Sequence, residues 1–199
     1  MSEYIRLITK NENEINLKNI EEILKNTDMV AEVINDKNGN WEKIVVKRED
    51  TNQLVTAMTR AENISEEKQM LEKDIIVAKP SNAAEWVKKY LNDSKKIYKF
   101  EILEGAEDQY GWYTLESIRE AVWEDVEGIL QNDGEGYRNE EGFFILWQFE
   151  YEELEGLYEA AVMDKKGKWQ CFEMELSDEE HISQFKDGKV PQGLEILEF

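Results

Sequence analysis

Glu116, Glu120, Glu124 and Glu127 recur at helical spacing within TLESIREAVWEDVEGIL, and Trp112, Tyr113, Trp123, Trp147 and Tyr151 lie in the same region of the chain. Residues four apart on a helix stand one above another, so the glutamates share one face. Such a face can be solvated, can meet the cations of a partner, or can join the aromatic residues in a sugar-processing site. Glycoside hydrolysis needs two carboxyl groups at different pKa values beside a binding surface, and no spacing here selects two of them. Further on, Asp133 and Glu135 in DGEG, with Glu140 and Glu141, offer oxygen ligands for a hard cation, but their spacing matches no defined loop. A helix exit followed by a turn accounts for the same residues, so no metal is assigned.

The nucleophile inventory is short. His181 is the only histidine and Cys171 the only cysteine, ten residues apart in sequence. Nothing near Cys171 in the sequence would lower its pKa, so the plain reading is a packed cysteine and an exposed helix histidine. One cysteine also rules out an intramolecular disulfide and a cysteine-based zinc cluster. No phosphate-binding glycine loop with its lysine and no dinucleotide fingerprint occurs, and no cofactor is assigned. DKNGNW at 36–41 sets Asp36, Asn38 and Asn40 at alternate positions as a calcium loop would, but its glycine comes at the fourth place and no acid closes the loop.

Charge is the strongest signal. The net charge is −21 over 199 residues, with residues 1–100 at −1 and residues 101–160 carrying 18 acids against Arg119 and Arg138 alone. Phosphate backbones and anionic lipid surfaces require cations, so this balance excludes nucleic-acid and anionic-membrane binding as leading functions. A basic protein would be attracted instead. There is no apolar run of about 18 residues, and the N-terminal stretch lacks the basic-then-apolar order of a signal peptide, which together read as a cytoplasmic protein.

The elements that would position these groups follow from periodicity. EYIRLI alternates as a strand; INLKNIEEILKN reads as a helix capped by Asn16, with Ile15 stapled to Ile20 and a stripe of Leu17, Ile20, Ile23 and Leu24. MVAEVI and WEKIVVK form a hairpin, NQLVTAMT another strand, SEEKQMLEK a helix capped by Ser65, and IIVA a strand. KPSNAAEWVKKYLNDSKK, opened by Pro80 and capped by Ser81, buries Ala84, Val87, Tyr90 and Leu91 and bridges the halves. IYKFEIL is a strand, and the glutamate helix is capped by Thr114, with Leu115, Ile118, Val122, Val126 and Ile129 on its apolar face. QNDGEGYRNEEG is an acidic loop, FFILWQFEY a central strand, LYEAAVM and WQCFEMEL a second hairpin, SDEEHISQF a helix capped by Ser177 or Asp178, and LEILEF an edge strand.

Both halves then read β-α-β-β-β-α-β. The expected fold is α+β: two similar small subdomains of mostly antiparallel sheet covered by helices, residues 1–93 near neutral and 94–199 strongly acidic. DKNGNW returns as DKKGKW at 164–169, an offset of 128 that also sets Ile44 and Val46 on Phe172 and Met174. A degenerate internal duplication is one reading of this match. Its aspartate, lysine and glycine are turn chemistry. Trp41 and Trp169 fall on the face opposite those apolar pairs, as a second packing layer or as anchors for a partner.

The function read from these observations is a non-enzymatic cytosolic interaction module. Its acidic surface binds a basic protein in an inhibitory, immunity-like or adaptor role. The candidate contact residues are Trp41, Trp169, Glu116, Glu120, Glu124, Glu127, Asp133 and Glu135. A small-molecule or carbohydrate-processing protein using paired carboxylates in 101–160 is the alternative, and a structural or accessory domain the second. The oligomeric state stays open, a dimer through an uncovered sheet edge being one form.

Overall fold

A computed structural model describes residues 3–25, 27–35, 40–61, 63–149 and 155–197. In chain order the elements begin with β1 (Glu3–Thr9), α1 (Leu17–Leu24), β2 (Met29–Asn35), β3 (Trp41–Arg48) and β4 (Leu54–Arg60). Next come α2 (Ile64–Ile75), α3 (Ser81–Asp93), β5 (Lys96–Ile102), a 3-10 turn at Glu104–Ala106 and α4 (Gln109–Val126). The remainder is β6 (Ile129–Asn132), β7 (Gly136–Arg138), β8 (Phe144–Trp147), β9 (Leu157–Met163), β10 (Trp169–Glu175) and α5 (Glu179–Lys186). The protein is therefore α+β, with five α-helices and ten strands among the described residues.

The chain forms two compact units, each built from two segments: Met1–Ile64 with Ser94–Gly128, and Ser65–Asp93 with Ile129–Phe199. The junction at 93/94 is thus one of three places where the chain passes between them.

In the first unit the strands run β1-β5-β4-β3-β2, every neighbouring pair antiparallel. Ile5, Phe100, Met58 and Ile44 meet in one cross-strand row, and all four are buried. Residues paired across strands share a face, so this row fixes the inner face. Thr9, also buried, donates its hydroxyl to the Val126 carbonyl at 2.8 Å and ties β1 to the end of α4. The apolar stripe of α4 (Leu115, Ile118, Val122, Val126) and Ile20 and Leu24 of α1 are buried, while Leu17 and Ile23 are only partly so. Full burial of one such side chain contributes about 1.5–3 kcal/mol.

Helix α4 starts earlier than its sequence suggests. Asp108, not Thr114, is its N-cap, accepting from the Gly111 amide at 2.8 Å. Thr114 lies buried inside the helix and donates to the Tyr110 carbonyl at 3.0 Å, so it competes with the ladder where a cap would have begun it. Gly111 is required at this start, because a Cβ there would lie 1.8 Å from the Gly105 carbonyl oxygen. The helix stops at Val126; Ile129 begins β6.

The second unit orders its strands β10-β9-β8-β7-β6, antiparallel except for the parallel pair β8/β9. Phe144, Ile145 and Leu146 are all buried, as a strand covered on both faces requires. Phe144 centres a ring cluster, 5.6 Å from Phe185, 5.4 Å from Phe149 and 5.9 Å from Tyr158. Ala160, Val162, Phe172, Met174 and Leu176 complete this core. Asp178 caps α5 through the Glu180 and His181 amides.

Four sequence expectations change. IIVA is not a strand: Ile75 ends α2, and Ile76 and Val77 stand about four-fifths exposed in the turn before α3. Ser65 is the second residue of α2 and Ser81 the first residue of α3, so they sit two steps and one step too late to be caps. QNDGEGYRNEEG is not one continuous loop: Gln131 and Asn132 belong to β6 and Gly136, Tyr137 and Arg138 to β7, with Gly136 opposite Asn132. LEILEF contributes no strand among its described residues, and only the Leu197 amide reaches β10, donating to the Cys171 carbonyl at 2.8 Å. The expected β-α-β-β-β-α-β order therefore appears in neither half.

Candidate acidic groove between two helices

The groove is built from the packing of α1 against α4. Asp125, near the end of α4, holds the start of α1 by three bonds. Its carboxylate accepts from the Asn16 amide at 2.8 Å and from Asn19 Nδ2 at 3.0 Å, and its carbonyl from Asn13 Nδ2 at 3.3 Å. The Asn16 side chain in turn caps α1, accepting from the Lys18 amide. With the helices held side by side, an open groove of about 610 Å3 runs between them.

Glu22 of α1 and Glu116, Glu120 and Glu124 of α4 line this groove, with Ile23, Tyr113 and Ala121 supplying apolar surface. The three α4 glutamates are spaced one per turn, about 6 Å apart along the axis. Arg119 is the one cation among the described residues of the lining. It lies 3.6 Å from Glu116 and 3.7 Å from Glu120. No salt bridge reaches Glu22 or Glu124 among the described residues. Four carboxylates against one guanidinium leave a strongly negative surface, weakly screened where side chains are half-buried.

The other candidate contact residues fall elsewhere. Glu127 is past the end of α4 at φ +50 and accepts from Asn11 Nδ2 at 3.0 Å, outside the groove lining. Asp133 and Glu135 form the β6/β7 turn of the second unit, accepting from Gln131 Nε2 at 3.1 Å and Asn132 Nδ2 at 2.9 Å. Trp169, also in the second unit, lies on the face away from Phe172 and Met174, half-buried edge-on against Trp86 at 5.2 Å.

Trp41 is on the opposite face from the one expected. The β2/β3 register shifts between Ile34 and Asn35: Ile34 pairs with Lys43 but Asn35 with Trp41, leaving Glu42 as an extra residue. That bulge reverses the alternation, so Trp41 joins the inner face with Ile44. There it stacks on Tyr98 at 6.1 Å, with the Arg60 guanidinium 4.3 Å above its ring. It is a core residue of the first unit.

Sequence reasoning had missed Asn19, Glu22 and Ile23, the α1 side of the groove. The signal was present in Asn13, Asn16 and Asn19, three residues apart, which is the spacing Asp125 uses. Of the aromatic residues near the carboxylates, Trp123 is committed to structure, its indole donating to the Gly128 carbonyl at 2.9 Å. Trp147 belongs to the second unit, and Tyr151 lies outside the described residues.

Cys171 and His181 keep separate partners. Burial pushes the Cys171 thiol up to about 11, with Glu141 and Glu159 adding to the effect, which suppresses the thiolate a nucleophile needs. His181 Nδ1 lies 3.5 Å from Asp178. Asp36, Lys37, Asn38 and Gly39 of the calcium-like loop lie outside the described residues. Among the described residues no group of three or more His, Cys, Asp or Glu is placed to hold a metal ion. No described helix is long and apolar enough to cross a membrane. A scan against protein-family models, a search of curated proteins and a search of solved structures return no match to this chain.

Proposed function

We propose that this protein is a non-enzymatic, cytoplasmic interaction module that captures a basic protein partner in the groove between α1 and α4, in an inhibitory, immunity-like or adaptor role. The observation that carries this reading is the row Glu116, Glu120 and Glu124 facing Glu22 across an open groove with one internal cation. The apolar floor of Ile23, Ala121 and Tyr113 gives contact area, and the carboxylates give steering and register. Such pairing raises association rates more than it deepens affinity, and it weakens with salt. The hairpin match suggests that the two units descend from a degenerate duplication and that the acidic helix is where they diverged in use.

The test is charge reversal. Wild-type protein should capture a basic protein from its host extract at low salt and release it at high salt. A Glu116→Lys, Glu120→Lys, Glu124→Lys variant should lose that protein, while an Asp133→Lys, Glu135→Lys variant, altered only in the β6/β7 turn, should retain it. Equal capture by all three proteins would show that the groove is not the contact surface.

A further inference from the structure

Strand β2 ends the strand order of the first unit, and its outer side has no neighbouring strand among the described residues. Which backbone groups face outward can be read from one bond. The Glu49 amide donates to the Asp28 carbonyl at 2.8 Å, so Asp28 and Glu49 are a hydrogen-bonded pair. In an antiparallel ladder such pairs alternate, which turns residues 30, 32 and 34 toward β3 and residues 29, 31 and 33 outward. The Met29 amide is taken by the Thr27 hydroxyl at 3.1 Å. Ala31 and Val33 therefore present both amides and both carbonyls to whatever lies beside the strand.

The side chains of this edge are mostly apolar. Val33 and Ile34 are 38% and 41% exposed, and Glu32 is the only charge within Met29–Asn35. An edge of this length is ordinarily blunted by lysine, proline or a covering segment. β10 shows such a cover in the Leu197 amide bound to the Cys171 carbonyl. On β2 the guard is Glu32 alone.

Glu32 also selects what can dock. A second copy pairing with β2 around a two-fold axis can match aliphatic side chains on both sides in one register only, with Val30 against Ile34 and Ala31 against Val33. That register sets Glu32 opposite the same glutamate of the second copy, and like charges directly opposed destabilise a pair. The neighbouring registers place Glu32 against Val30 or Ile34. Two chains of net charge −21 repel besides. A lysine or arginine opposite Glu32 removes the conflict and keeps the aliphatic matches. Lys47 already approaches Glu32 at 3.4 Å but leaves it 61% exposed, open to a second cation.

We propose that the outer side of β2 is a docking edge for an extended basic segment of a partner, added as an antiparallel strand with a cation opposite Glu32 and aliphatic residues two positions to either side. The backbone groups of Ala31 and Val33 supply affinity, and Val30, Glu32 and Ile34 supply the sequence preference. This surface is separate from the α1/α4 groove and stands without it.

The probe is a dye-labelled heptapeptide, Thr-Ile-Thr-Lys-Thr-Ile-Thr, compared with its Glu-centred twin by fluorescence anisotropy on the full chain at low salt. The Lys peptide should bind about fivefold or more tightly than the Glu peptide, and Glu32→Lys should reverse the order. Val33→Pro, which removes an outward amide and leaves the β3 ladder its donors, should abolish binding while circular dichroism stays native. The groove variant Glu116→Lys, Glu120→Lys, Glu124→Lys should bind the Lys peptide as wild type does. Indifference to the peptide's central charge, an order unchanged by Glu32→Lys, or loss of binding in the groove variant alone would each overturn the proposal.

Discussion

The hairpins β2/β3 and β9/β10 have similar connecting sequences, DKNGN and DKKGK, and put their tryptophans to opposite uses. Both link their strands through five residues, and both pair the residue before the loop with the tryptophan after it, Asn35 with Trp41 and Met163 with Trp169. One pair later they part. Val162 opposes Gln170 in continuous register, whereas Ile34 skips Glu42 to oppose Lys43. The single extra residue sends Trp41 inward onto Tyr98, while Trp169 stays on the face away from Phe172 and packs on Trp86. The bulge decides which side chains become core.

The largest test of this difference removes each indole. Trp41→Ala takes out a buried ring together with the platform for Arg60, and should cost about 3–5 kcal/mol in urea or guanidinium unfolding. Trp169→Ala takes out a half-buried ring whose loss Trp86 can partly fill, and should cost about 1–2 kcal/mol. Equal losses would mean that the bulge does not separate the two residues energetically.

What could be read in the sequence follows the same line. Both hairpins, the stripe of α4 and the caps Asn16 and Asp178 were legible, because each rests on local periodicity or a side chain bonding its own backbone. The face of Trp41 was not, since one extra residue reverses a period of two and nothing in WEK marks Glu42 as that residue. Thr114 looked like a cap because it precedes the apolar stripe, but the helix had already begun at Asp108, where Gly111 passes close to the Gly105 carbonyl of the preceding 3-10 turn. IIVA has a strand's composition without a strand to pair with, and its middle residues are left in a turn. Of the groove, the α4 row was visible as spacing; its α1 wall depends on the Asp125 clamp, over a hundred residues from the asparagines it binds.

A smaller test concerns the edge of the second hairpin. The Cys171 thiol, pushed up to about 11 by burial, should react with a disulfide reagent at pH 8 about a hundredfold more slowly than in the urea-unfolded chain, from the thiolate fraction alone. Its linkage has a definite sign. A raised folded pKa means the native state holds its proton longer, so this contribution is intact below the unfolded thiol value of about 9. It is lost as pH rises through the folded value near 11. Leu197→Pro, which removes the amide donated to the Cys171 carbonyl, should speed the reaction without unfolding the chain. An unchanged rate would show that the C-terminal segment does not cover this edge, and the contrast with the open side of β2 would narrow.

The smallest effect lies in the turns, where the hairpins look most alike in sequence. Asp164 accepts from the Lys168 amide at 2.9 Å and the Lys166 amide at 2.7 Å, and Gly167 takes the left-handed conformation at φ +79. Those amides, the Lys168 bond foremost, hold the Asp164 carboxyl below its ordinary value. A lowered folded pKa gives stability that is present above the ordinary carboxylate range and lost as pH falls through the folded value. Asp164→Ala should therefore lower the melting temperature slightly at pH 7 and make no difference at pH 2, while Asp164→Asn, which keeps an acceptor, should do less at pH 7. Asp36→Ala is the matching change in the first hairpin. An equal, equally pH-dependent loss there would mean that the two connections share their chemistry and that only the bulge distinguishes the hairpins. No loss would mean that the divergence begins in the turn itself, one step before the register shift that carries Trp41 into the core.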